Sequence, residues 1–235
     1  MDKSKATSLI IKDFRKVRIH TFIAPFRFAA NATHIIETEN ELVLIDAQFV
    51  NPMALAFRAY VDRLGKPINR MILSHGHPDH YFGITAAFSD VEVHALPGID
   101  KIIEKMGPVI IKNQKSTFGD LIPDEVVLPK PTIEANTSEV IDGLTYHYEA
   151  VEDTEAELQL VIKLPELGTI VAQDLVYSDV HIWLGMGFFE NWIAALKELV
   201  NAEGYDYYLA GHGLPCSKTE VQANIDYIQK ALELI

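Results

Sequence analysis

Cysteine is almost missing from this chain: Cys216 is the single one in 235 residues. No disulfide can form within it, and the composition fits a reducing compartment. Positive charge is scarce as well. Twenty Lys and Arg stand against 33 Asp and Glu, for a formal net charge of −13. Such a chain repels a phosphate backbone and has little attraction for an anionic bilayer. Neither nucleic acid nor membrane is therefore expected as a partner, and a small-molecule substrate is. Long apolar runs are absent too, so no segment reads as a membrane span. The stretch Met1 to Lys12 has no apolar core of the signal-peptide kind, so the expected location is cytoplasmic.

What is present is ordinary globular material, 49% hydrophobic and 23% charged, long enough to bury a sizeable core. The first half reads as short β-rich runs at Val17–Ile23, Thr33–Glu37 and Leu42–Ala47. Asn51-Pro52 opens a helix whose apolar stripe is Met53, Phe57, Val61 and Leu64, closed by Gly65. A buried strand at Arg70–Leu73 follows, then a helix around Ile84–Phe88 and a strand at Val91–Ala95. From Pro97 to Pro131 a helical start at Ile99–Met106 meets Pro108, Pro123, Pro129 and Pro131. This stretch reads as a cap or lid inserted into a single domain spanning 1–235. Strands resume at Leu144–Val151, Leu158–Leu164, Thr169–Ala172 and Tyr207–Ala210, with helices around Trp192–Leu199 and Val221–Ile235. The two halves share a plan: strands, helix, strand, helix. That order suggests two mixed sheets packed together with helices outside, an αββα sandwich.

The chemistry concentrates in Ser74-His75-Gly76-His77-Pro78-Asp79-His80, directly after a buried strand. Imidazole and carboxylate suit zinc, manganese and iron. Four such groups in six residues let one loop aim alternate side chains at two neighbouring ions. Gly76 permits a tight backbone path and Pro78 stiffens it.

This run resembles the HxHxDH signature of the metallo-β-lactamase superfamily. The likeness extends from NATHIIETENELVLIDA near the start to LAGHGLP near the end. It implies a site for two divalent metal ions, with His75 and His77 on the first and Asp79 and His80 on the second. Asp174, in AQDLVY, matches the aspartate that bridges both, and His212, in AGHG, matches the C-terminal histidine. Asp46, in LIDA, matches an aspartate that braces the metal loop. Tyr177, three residues after Asp174, is similar to a tyrosine of the family's acyl-homoserine lactonases that contacts the substrate carbonyl; a packed aromatic is the competing reading. The family's third histidine is the departure. At the matching stretch, Val151-Glu152-Asp153-Thr154-Glu155-Ala156, Asp153 stands where histidine is expected. His147 is the alternative, a strand-length earlier. A carboxylate ligand there makes the site less positive than usual, which leaves manganese or iron as rivals to zinc.

The resemblance implies a hydrolase in which metal-acidified water attacks an ester-like bond, a lactone or other carboxylic ester first, with Asp79 orienting the water. Phe26, Phe28, His181, Trp183, Phe188 and Phe189 are candidates for an apolar mouth. Two other classes stay open: an iron-dependent oxidoreductase or sulfur dioxygenase of the same fold, and a metal-binding or regulatory module without turnover.

Overall fold

The computed structural model describes residues 6–234, which form two compact units, residues 6–134 and 135–234. In the first, β1 (Ser8–Asp13), β2 (Arg18–Ile23), β3 (Ala32–Glu37) and β4 (Leu42–Ile45) run antiparallel in sequence order. Helix α1 (Asn51–Arg63) then crosses to β5 (Ile68–Ile72), and α2 (Pro78–Ala87) to the short β6 (Val93–His94), both parallel additions. The second unit repeats the plan. Strands β7 (Thr137–Ile141), β8 (Leu144–Glu152), β9 (Leu158–Leu164) and β10 (Thr169–Ser178) are antiparallel neighbours. Helix α4 (Phe189–Asn201) crosses to β11 (Tyr207–Gly213), parallel to β10, and α5 (Lys218–Leu232) follows. Two mixed sheets, each with its own helices, are the layers the sequence pattern called for. No helix among the described residues is long and apolar enough to cross a membrane.

Periodicity explains why the helices form where they do. Helix α4 places Trp192, Leu196 and Leu199 on one face, and α5 places Val221, Ile225 and Ile228 on one face; both pack on Ile170, Ala172 and Val176 of β10. A Ser217–Glu220 capping box starts α5. Its expected apolar stripe ends early: Leu232 is exposed, and Ile235 lies outside the described residues.

Three elements differ from the sequence reading. Strand β1 carries no in–out alternation, since every residue is exposed on a sheet edge. Strand β7 is nearly as open and was equally hard to see. Pro108, expected to break its helix, lies inside α3 (Ile99–Phe118). A proline there removes one backbone hydrogen bond, at about 3 kcal/mol. Burial of Ile99, Ile103 and Ile111 on the same helix offsets it. The segment that contains α3 is tied to β6 at both ends, because Ala95 N donates to Lys130 O and Lys130 N to Val93 O.

The first sheet also holds a buried ionic cluster. Glu37, only 2% exposed, takes His20 Nε2 at 2.8 Å, Arg18 at 2.7 Å and Lys66 at 2.9 Å. Tyr60 Oη meets the other ring nitrogen of His20 at 2.7 Å. Burial favours the neutral Glu37 carboxyl, but hydrogen bonds from Lys66, His20 and Arg18 outweigh it and hold its pKa low. Burial dominates at His20 and lowers its pKa against the pull of Glu37. Both groups therefore contribute stability that is present above their unfolded pKa values and lost as pH falls. His20 begins to lose it below about pH 6.5 and Glu37 below about 4.5. Urea midpoints are expected to fall between pH 7 and pH 5, and His20→Gln is expected to shrink that fall. Glu37→Ala is expected to cost about 1–3 kcal/mol, because it leaves the buried His20 Nε2 without its partner. A midpoint independent of pH over that range in the parent would refute the His20 assignment.

Candidate metal centre

Strand β5 delivers the metal loop. Its last residues, Met71 and Ile72, are buried, and the chain then runs Leu73-Ser74-His75-Gly76-His77 into the start of α2. Pro78 takes the first helical position, where a missing N–H costs nothing. Asp79 sits in the first turn, where a carboxylate meets the positive end of the helix dipole. His80 follows on the buried side of that turn.

Asp46 holds this loop in place. It stands just past β4 with φ +60°, and it is fully buried. Its carboxylate accepts from Ser74 N at 2.7 Å, from Ser74 Oγ at 2.6 Å and from His80 Nδ1 at 2.8 Å. The last bond places the His80 proton on Nδ1, so Nε2 carries the lone pair a metal needs. Ser74 Oγ also lies 2.8 Å from His75 Nδ1. The imidazoles crowd together, with ring centroids 4.7 Å apart for His75–His77 and 4.2 Å for His75–His80. Ligand atoms of His75 and His77 come within 4.8 Å of each other, as do those of Asp79 and His80. His75 and His80 are buried, while His77 and Asp79 are partly exposed. The loop thus keeps one side open. Helix α2 is pressed onto the Ala47-Gln48 turn: Ala47 N donates to His80 O, and a Cβ on Gly83 would lie 2.6 Å from Gln48 O.

The second unit carries the other candidates. The register of β10 on β11 slips on either side of Gln173, which has φ +42°. That bulge re-aims Asp174. The Asp174 carboxylate lies over Gly211, where a Cβ would be 1.8 Å from Asp174 Oδ1, so the residue before His212 has to be glycine. His212 Nε2 is 3.1 Å from Asp174 Oδ2. The Tyr177 ring stacks on that of His212, 4.8 Å between centroids at 11°. Tyr177 Oη reaches Asp174 Oδ2 at 3.2 Å and Glu155 Oε1 at 3.3 Å. Asn224 of α5 grips the Tyr177 backbone on both sides, accepting from its N–H and donating to its carbonyl.

Glu155 is the residue that sequence reasoning missed. It is 1% exposed, and its ligand atom lies within 4.8 Å of that of Asp174. Asp153, the expected ligand, is exposed and has φ +50° in the turn between β8 and β9. Asp153 N donates to Glu157 O and Thr154 N to Ala156 O. This tight turn sends Asp153 to solvent and Thr154, Glu155 and Ala156 inward. The position beside Asp174 therefore belongs to 155 and not to 153. His147 is occupied elsewhere on β8, by Ser138 Oγ at 2.8 Å and Glu149 at 3.4 Å. Cys216 is buried, which pushes its thiol up to about 12 and leaves it a packing residue. Of the aromatic candidates, Phe26 and Trp183 are exposed, and His181 pairs with Tyr227 Oη at 3.1 Å.

The donor chemistry fits metal ions. Two buried carboxylates share one tyrosine hydroxyl, which can donate to only one at a time. With His212 Nε2 at 3.1 Å from Asp174 Oδ2, carboxylates and an imidazole meet here, a donor set suited to a divalent cation. In the first unit, imidazoles of set tautomer converge beside a carboxylate, a set suited to divalent metals.

Comparison with known proteins agrees. A family model described as the metallo-beta-lactamase superfamily matches residues 27–212. A linear primary-alkylsulfatase from Pseudomonas sp. (strain ATCC 19151) is 23% identical, and the match covers 79% of this chain. The chain spans only 42% of the length of that relative. A metallo-beta-lactamase from Pontibacter korlensis superposes with a TM-score of 0.73 at 16% identity, over 94% of this chain and 99% of that one. The FIM-1 metallo-beta-lactamase from Pseudomonas aeruginosa, in its mono-zinc form, gives 0.68 at 17% identity, over 97% and 98%. These likenesses assign the fold, and the family match over most of the chain assigns the lineage. The chain belongs to the metallo-β-lactamase superfamily, whose sites hold divalent metal ions.

Proposed function

We propose that this protein is a metal-dependent hydrolase of ester-like bonds. His75, His77, Asp79 and His80 of the first unit, and Glu155, Asp174 and His212 of the second, are the residues that would hold divalent ions. The observation that carries the reading is the pairing of buried Glu155 with buried Asp174 under the Tyr177 hydroxyl. With Glu155 in the role that the sequence reading gave to Asp153, the site would be less positive by one charge than one with histidine there. Oxygen-preferring ions such as manganese and iron then compete with zinc.

When bound, the ions supply an acidified water and a Lewis-acid contact for the ester oxygen. The chain does the rest. Asp46 fixes the tautomer of His80 and, through Ser74, steadies His75. Asp79, partly exposed at the mouth of the loop, is placed to accept a proton from water and orient it. Tyr177 hydrogen-bonds the carboxylates and holds their geometry. The alkylsulfatase relative supports an ester substrate and puts sulfuric esters beside the carboxylic esters that the family resemblance implies. Turnover of alkyl sulfates against lactones and carboxylic esters, by protein reconstituted with zinc, manganese or iron, tests the reading. No turnover on any of them with both sites filled would overturn it.

Two further outcomes are expected. Glu155→Gln should lower metal affinity by at least the roughly 10–100-fold that loss of an outer-shell partner costs, whereas Asp153→Asn should leave metal content unchanged. Competition with a chromophoric chelator measures both, and the reverse pattern would return the ligand to position 153. Asp46→Asn should weaken metal binding about 10–100-fold with the fold retained, since it disturbs the proton on His80 Nδ1. Equal affinity in the variant would show that Asp46 supports only packing.

A further inference from the structure

Strand β10 loses its regular pairing on both sides at Ala172. Its ladder with β9 runs through Thr169↔Leu164, Ile170↔Lys163 and Val171↔Ile162, and stops there. Its ladder with β11 passes from Val171↔Leu209 to Gln173↔Ala210, so Ala172 is the extra residue of the bulge. Such a residue falls out of the ladder. Ala172 is also fully buried, so its carbonyl needs a partner within the protein.

A side chain supplies that partner. Gln159 of β9, itself fully buried, donates from Nε2 to Ala172 O at 2.8 Å. Carried past Val171, the regular register would set Val161 opposite Ala172 and Gln159 opposite Asp174. The glutamine therefore reaches across the place where the two strands part. It also ties two supports together. Strand β9 leaves the turn that carries Glu155, and β10 carries Asp174.

The bulge decides where Asp174 points. Side chains along a strand alternate between faces, so one extra residue turns over those that follow it. Beyond the bulge, Asp174 Oδ1 comes to lie over Gly211, and Oδ2 is 3.1 Å from His212 Nε2. This course is costly to hold, because Gln173 sits at φ +42° in the left-handed region. Regular pairing would relieve that strain and turn Asp174 away.

We propose that Gln159 is a positioning residue for the metal centre: its amide holds the bulge at Ala172 and so aims Asp174 at His212. The inference rests on the reading of Asp174 as a metal residue and adds what sets its direction. Gln159 acts through the backbone of Ala172.

Gln159→Met keeps the length of the side chain and loses the donor. In the whole protein, competition with a chromophoric chelator should show zinc affinity lower by about 10-fold or more, as loss of an outer partner produces. Tyr208→Phe is the control. It removes a buried bond from Tyr208 Oη to Leu199 O, 2.8 Å long, on a residue whose β10 partner, Ile170, precedes the bulge. Both variants should unfold at lower urea concentration, since each leaves a buried carbonyl without a donor. Only Gln159→Met should lose zinc affinity. Should it not fold, Gln159→Asn carries the test, because its amide stops a methylene short of Ala172 O, and the same loss is expected. Zinc affinity unchanged in the folded variant, or lowered equally in Tyr208→Phe, overturns the positioning role. Asp174→Asn separates this role from the reading beneath it. Affinity lost there but kept in Gln159→Met ends the role of Gln159 and leaves the metal centre. Affinity kept in Asp174→Asn ends both. Affinity lost in both, with no ester turned over by the parent, keeps Gln159 and ends the hydrolase.

Discussion

The grip of Asp46 on the metal loop is the constraint on which the first unit's chemistry depends. One carboxylate accepts from Ser74 N, Ser74 Oγ and His80 Nδ1, all within 2.8 Å. Burial without these donors would cost several kcal/mol; with them the charge is satisfied and the loop is pinned at both ends of its ligand run. The residue adopts φ +60° to do this, a conformation in which aspartate is tolerated better than most residues. Strain of order 1–3 kcal/mol persists at such sites because the surrounding bonds over-determine them. The parallel pairing of β4 with β5 brings Asp46 beside Ser74, so sheet topology and ligand geometry are one problem here.

The second unit solves a similar problem by other means. No short ligand run exists there. Instead, a bulge at Gln173 turns Asp174, the absence of a Cβ at Gly211 admits its carboxylate, and Asn224 fixes Tyr177 by both backbone groups. The outcome is an acidic cluster, Glu155 with Asp174, in a buried setting.

A shared architectural plan underlies both units. Each has antiparallel strands followed by a helix and a parallel strand; the candidate ligands of the first unit follow the end of β5, while in the second Asp174 lies in β10 and His212 near the end of β11. Loops at strand ends leave polar groups free to face a ligand while the strands stay apolar. Helix α3 is the exception to the plan. It leaves and rejoins the edge at β6, and its exposed side carries Met106 and Val109.

Most of the fold was legible because amphipathic periods are local. The stripe of α1, the run of β9 and the last helix all declare themselves in short windows, while the exposed edges β1 and β7 have no inward face to show. The metal loop was legible for the same reason: His75, His77, Asp79 and His80 lie in six consecutive residues, so spacing alone defines the motif. The carboxylate beside Asp174 was not. Choosing between Asp153 and Glu155 depends on a tight turn closed by Asp153 N to Glu157 O, and on which side of that turn faces a strand some twenty residues further along the chain. Residue type cannot report that, because aspartate and glutamate offer the same ligand atoms. Only tertiary structure decides it, through the burial that sends one carboxylate to water and holds the other against its like charge.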